Sequence, residues 1–147
     1  DTLSPLGLSG FFCPSKLLLA QPRDQAASLG VAEEALRDGG LDRVVVEITR
    51  PLTLLEGRRL QIAAKSGGAT GICIIPEGMG NNAAETRWRA IPLFNPGKED
   101  WTLMRWEIIK NKTGTFGAWD VCWDPETYRL HVVPPVGERP GSPPASA

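Results

Sequence analysis

A chain of 147 residues with 41 % hydrophobic content is long enough for one domain with a real core and has a globular composition. Its net charge of −1 supplies no general positive field to draw it onto nucleic acid, so any such contact must come from a local patch. Three well-separated cysteines, Cys13, Cys73 and Cys122, suit buried thiols in a reducing compartment. The single histidine, His131, has no partner imidazole, so a metal site and a Ser-His-Asp triad both lack support.

Residues 1 to 14 mix glycine, proline and aperiodic apolar residues and read as a loop or a short helical turn. Lys16 to Ala20, with Leu17, Leu18 and Leu19, reads as a buried strand before the breaker Gln21-Pro22-Arg23-Asp24. Asp24 is a good N-cap, and Leu29, Ala32, Ala35 and Leu36 form one helical stripe that Gly39 and Gly40 end. Leu41 to Ile48 follows. Its three consecutive valines leave no polar face, which predicts a strand covered on both sides, as inside a parallel sheet. This run delivers Glu47 to the carboxyl edge, where open α/β sheets hold ligands.

Thr53-Leu-Leu-Glu56 has the spacing of a capping box. The helix it opens should reach about Ser66, with Leu60, Ala63 and Ala64 toward the sheet and Arg58, Gln61 and Lys65 toward water. Gly67 and Gly68 stop it, and Thr70 to Ile75 supplies a third buried strand. The first half is thus a parallel β-α-β-α-β piece of an α/β fold, with right-handed crossovers.

After residue 85 the period changes. Thr86 to Leu93, Trp101 to Lys110, Ala118 to Trp123 and Thr127 to Val133 alternate as half-exposed strands, an antiparallel extension of the same sheet. All five tryptophans lie in this half. Residues 134 to 147 are rich in proline, glycine, serine and alanine and read as a flexible tail, leaving 1 to 133 as the domain.

Four features carry candidate chemistry. Glu47 is either the acid that organises a metal in nucleotide-hydrolysing folds or a charged residue where a strand meets water. Lys110 and Lys112 flank Asn111 at a turn and can offer charge to a phosphate or remain solvated. Arg87 and Arg89 share one strand face opposite Trp88, and with the lysine pair form the basic, aromatic-interleaved region open to nucleic acid or a partner. No Gly-x-x-x-x-Gly-Lys-Ser/Thr occurs; Gly97-Lys98 comes nearest and reads as a hairpin loop. No apolar run approaches a membrane span, so a cytoplasmic chain without a membrane partner is expected, and the sequon Asn111-Lys112-Thr113 is a chance match.

Taken in order, several blocks resemble the RecA-fold family and, within it, the ImuA (inducible mutagenesis, SulA-like) proteins. They are Lys16-Leu-Leu-Leu-Ala-Gln-Pro-Arg23, Ala32-Glu-Glu-Ala-Leu-Arg37, Val44-Val-Val-Glu47, the run from Leu52 to Ala64, Gly67-Gly-Ala-Thr-Gly71, Thr86-Arg-Trp-Arg89 and Arg105-Trp-Glu-Ile-Ile-Lys-Asn-Lys112. The resemblance covers roughly residues 6 to 133 and implies a partial RecA-like core that starts after the phosphate-loop segment. It assigns Glu47, Lys110 and Lys112 to a nucleotide site, the lysines reaching the nucleotide of a neighbouring subunit. Glu47 stands where RecA has an aspartate, and Pro76-Glu77-Gly78 replaces the glutamine that senses the γ-phosphate. Both departures point away from ATP hydrolysis, so no enzymatic activity and no cofactor are expected. The implied role is an accessory one in damage-induced (SOS) mutagenesis, with a Y-family-like polymerase homologue, an error-prone replicative polymerase and RecA as protein partners, and DNA reached indirectly. An ATP-dependent RecA-type DNA-binding protein with its phosphate loop upstream is the first alternative, and a SulA-like cell-division inhibitor the second. A sheet without its first strands should also expose an edge and self-associate.

Overall fold

The computed structural model describes residues 3–79, 83–94 and 102–134. They divide into two compact units, one of residues 18–85 and one of residues 1–17 with 86–147.

The first unit is a helix-covered pair of parallel strands. Helix α1, Pro5–Leu8, precedes it in the chain and belongs to the other unit. Helix α2 is Gln25–Arg37; the Asp24 carboxylate caps it by accepting from the Ala27 backbone N–H at 2.8 Å. Strand β1, Arg43–Glu47, pairs in parallel with β2, Thr70–Ile74, from Arg43 opposite Thr70 to Glu47 opposite Ile74. Between them runs α3, Leu54–Gly67, opened by the expected capping box of Thr53 and Glu56 and closed at Gly68, whose φ of 69° is left-handed. Leu29, Ala32, Leu36, Leu60 and Ala63 of the helices bury Val46 and Ile48 of the sheet in one core. Leu36 is 2 % and Ile48 1 % exposed, each contributing about 1.5–3 kcal/mol on leaving water.

Both helices pack on one face, and this corrects the reading of β1 as covered on both sides. Val46 and Ile48 point into the core, whereas Val45, Ile72 and Ile74 on the other face are 59 %, 43 % and 57 % exposed. The expected strand over Lys16–Ala20 is also absent. Pro14–Lys16 is a 3-10 turn, and Leu18 and Leu19 beyond it are exposed. Pro14 lacks an N–H and fixes φ, which suits the first position of such a turn. The parallel sheet is therefore β1-β2, two-stranded rather than three-stranded.

The second unit contains the antiparallel meander β3-β4-β5-β6: Thr86–Pro92, Thr102–Asn111, Gly117–Asp124 and Arg129–Val133. It is a sheet of its own, not an extension of β1-β2. Strands joined by short turns satisfy each other's backbone groups in sequence order, so the four need no parallel neighbour between them. Leu103, Val121 and Cys122 are its buried apolar residues. Phe11, from the segment after α1, lies 4.9 Å from the Trp123 ring, and Tyr128, at φ 54° in the β5-β6 turn, lies 6.5 Å from it. The Gly97-Lys98 loop, Trp101 and the tail after Pro134 lie outside the described residues.

Candidate functional site

Strand alternation sorts the side chains of the four-stranded sheet onto two faces of opposite character. Trp119 stands across from Trp106, Trp106 across from Ala90, and Trp88 across from Ile108. The Trp88 ring meets Trp106 edge-on at 6.3 Å and lies 6.1 Å from Trp119 at 37°. With Val121, Leu130 and Val132 the three rings line a shallow, almost wholly apolar cavity of about 220 Å³. Trp88 is 50 % and Trp119 38 % exposed.

The opposite face carries acid–base pairs beside the buried Leu103 and Cys122. Arg89 pairs with Glu107 at 3.3 Å, Arg105 with the buried Asp120 at 2.8 Å, and His131 Nε2 stands 3.8 Å from Asp124. The Asp120 carboxylate holds the Arg105 guanidinium above its ordinary pKa by accepting its Nε–H. Asp124 is held below the usual carboxylate range, first by the Thr127 hydroxyl and then by the backbone N–H groups of Glu126 and Thr127.

One irregularity changes where Lys110 stands relative to its neighbours in β4. The register shifts between Arg87 and Trp88, so that Arg87 opposes Lys110 while Trp88 opposes Ile108. The extra residue is Ile109 of β4, so it is β4 whose alternation is interrupted while β3 alternates without a break. Arg87 and Arg89 therefore keep to one face of β3, opposite Trp88, Arg89 beside Glu107 and Arg87 across from Lys110, which the extra residue Ile109 moves off the tryptophan face. Lys112 follows Lys110 in a turn that Asn111 holds, its side chain donating to the Thr115 carbonyl at 3.0 Å and accepting from the Thr113 N–H at 3.2 Å. Trp106 and Trp119 complete the cluster. The sequence offers them only among the five tryptophans of this half, because residues of different strands meet once the register is known.

Glu47 ends β1 as an exposed side chain in the other unit. The loop beyond it is closely tied. Gln25 Oε1 accepts from the Thr49 N–H at 2.8 Å, the Thr49 hydroxyl at 3.0 Å and the Arg50 N–H at 2.8 Å, and its Nε2 donates to the Arg50 carbonyl at 3.1 Å. Arg50 in turn pairs with Glu56 at 2.9 Å. Nearby, Glu33 of α2 bridges Arg37 at 2.6 Å and Arg59 of α3 at 2.7 Å, and its carboxyl is lowered chiefly by Arg37. Among the described residues no group of three or more His, Cys, Asp or Glu side chains is placed to hold a metal ion.

The thiols also differ from expectation. Cys122 is buried, but Cys13 and Cys73 are exposed, and the Cys13 thiol is lowered by its 3.1 Å hydrogen bond with the Ser15 hydroxyl. Among the described residues no helix is long and apolar enough to cross a membrane.

No family model matches the chain. It is similar to the protein ImuA of two strains of Caulobacter vibrioides, 31 % identical in each case over an alignment of 136 residues that takes in 81 % of this chain and 55 % of the relative. The chain thus spans about half the length of the relatives it matches. This similarity supports an ImuA-like family for the chain.

Proposed function

We propose that this chain is part of a non-catalytic, RecA-like accessory protein of damage-induced mutagenesis that supports error-prone translesion synthesis through protein–protein contacts in the cytoplasm. The observation that carries the reading is the 31 % identity to ImuA over most of the chain. Its partners would be a Y-family-like polymerase homologue, an error-prone replicative polymerase and RecA. The test is genetic. Deleting the gene should abolish the rise in mutation frequency after DNA damage, and re-expression should restore it; an unchanged induced frequency would refute the reading.

A second reading, an ATP-dependent RecA-type DNA-binding protein, draws on Glu47, which β1 carries to the carboxyl end of a parallel strand. Calorimetric titration of MgATP into the full-length parent protein separates the two. Saturable binding lost in Glu47→Gln favours the nucleotide-dependent protein, with Lys110 and Lys112 as contacts in trans. Absence of heat from a sample with a cooperative melting transition favours the non-catalytic one.

A further inference from the structure

The tryptophan face of the four-stranded sheet is met at one end by the chain's own N-terminal segment. Trp119, Val121 and Trp123 alternate onto this face of β5, and Phe11 lies 4.9 Å from the Trp123 ring. At the other end Trp88 is 50 %, Trp119 38 % and Val132 69 % exposed. The cavity there is about 220 Å³ and lined by apolar groups, so water in it finds few hydrogen-bond partners. Sites that enclose a small molecule run to roughly 300–1,000 Å³, so a shallower hollow of this kind suits a stretch of chain laid across it.

The exit of the backbone points to the occupant. β6 is the edge strand beside β5, and the register that sets Val133 across from Asp120 brings residue 134 level with Trp119. Residue 134 is proline, which has no N–H to extend the ladder, so the chain leaves the sheet at the rim of the cavity. Residues 135–147 that follow carry Pro135, Pro140, Pro143 and Pro144 and no aromatic residue.

We propose that residues 135–147 return over the tryptophan face of their own sheet and lay proline rings against Trp119, Trp106 and Trp88. Proline-rich segments dock in aromatic-lined grooves because the polyproline II conformation has little entropy left to lose and presents apolar rings. Passing from β6 over β5 and β4 to β3 takes three strand spacings of about 4.8 Å, about 14 Å in all. At about 3.1 Å per residue, about five residues span that distance, and residues 135–147 together reach about 40 Å. The rings are in place before anything docks. Trp106 meets Trp88 edge-on at 6.3 Å, and Gly117 lacks the Cβ that would stand 2.6 Å from the Trp119 ring. The tether adds what a short segment lacks in affinity, an effective concentration on the order of millimolar, which neither a second copy of the chain nor a free peptide enjoys at micromolar levels. The inference stands on this sheet and this segment and is independent of the proposed mutagenesis role.

The test compares the intact 147-residue chain with a variant of the same length carrying Pro135→Ser, Pro140→Ser, Pro143→Ser and Pro144→Ser, both checked for cooperative melting. Acrylamide should quench the tryptophan emission of the variant more strongly than that of the wild type, and the variant's emission should move to longer wavelength. A peptide of residues 134–147 should reverse both changes in the variant. In the wild type it must displace the tethered copy, so half-saturation should come no lower than about millimolar. Trp88→Ala or Trp119→Ala, added to the proline variant, should weaken the peptide's effect. Nuclear Overhauser contacts between proline Hδ and indole protons, recorded on a mixture of isotope-labelled and unlabelled wild-type chains, should fall within one chain. These contacts are read without any substitution and keep the test valid should a variant fail to fold. Equal quenching of wild type and variant, a peptide that leaves the variant unchanged, or absence of proline–indole contacts would each overturn the proposal. So would contacts that arise only between chains, which would make a second copy the occupant.

Discussion

Neutralising Glu56 should destabilise the first unit at neutral pH and cease to matter in strong acid. Its carboxylate accepts from Arg50 Nη2 at 2.9 Å, from the Thr53 backbone N–H at 2.7 Å and from the Thr53 hydroxyl at 2.9 Å. These bonds, the Arg50 guanidinium foremost, lower its pKa from 4.5 to about 2. At 1.36 kcal/mol per pKa unit, that fall corresponds to about 3 kcal/mol as a ceiling. The side chain is 23 % exposed, so solvent screens the pair, and about 1–2 kcal/mol is the expected contribution, matching the range for helix N-cap substitutions. Because the folded pKa is depressed, the contribution is complete above the unfolded value of 4.5 and is lost as pH falls through about 2. Urea denaturation of the wild type and Glu56→Gln checks this, since glutamine keeps the capping geometry and removes the charge. The variant should be less stable by about 1–2 kcal/mol near pH 7, with the gap closing toward about pH 2. A gap that is absent at neutrality, or that persists in acid, would refute the assignment of the lowered pKa to these three donors.

Three further substitutions probe the same unit. Gln25→Ala removes the acceptor for the N–H groups of Thr49 and Arg50 and should cost about 0.5–1.5 kcal/mol in urea denaturation, with faster amide exchange confined to the loop after β1. Leu36→Ala, at a site 2 % exposed, should cost about 2–5 kcal/mol and lower the thermal midpoint without changing the secondary structure seen by circular dichroism. Gly67→Ala would drive its Cβ into the backbone carbonyl of Leu36, so α2 and α3 must part there; a loss of about 1–3 kcal/mol is expected, and a neutral result would contradict the close approach of the two helices.

The helices were legible because their signals are local. Asp24 and Thr53-Leu-Leu-Glu56 cap within one turn of themselves, and the stripes Leu29, Ala32, Leu36 and Leu60, Ala63 are buried as their period requires. The strands were legible as strands, from Val44-Val45-Val46 and the alternation after residue 85. Their coverage was not. A run of valines is compatible with burial on both faces, but Val45 is covered only if an element packs there, and α2 and α3 both lie over Val46 and Ile48. Leu17 to Leu19 failed for the same reason: an apolar run becomes a strand only beside a strand edge that accepts it, and β1-β2 is the whole of the parallel sheet among the described residues.

The candidate site turned on a single residue of register. Strict alternation puts Arg87 and Arg89 on one face and Trp88 on the other, which makes the arginines a pair and leaves the tryptophan apart from them. Along β3 that alternation holds; the interruption is in β4, where the extra residue Ile109 takes Lys110 off the face of Ile108 and sets it across from Arg87, while Arg89 meets Glu107. No local propensity at Ile108-Ile109-Lys110 announces this, because the extra residue shows only against the partner strand, where Trp88 and Arg87 are the residues opposed. The consequence is chemical. Arg87 and Arg89 share one face, where Glu107 neutralises Arg89 and Arg87 stands across from Lys110, and the three indoles cluster on the other. Whatever meets the tryptophan face must therefore match an apolar, aromatic surface, because both arginines of β3 point to the other side of the sheet.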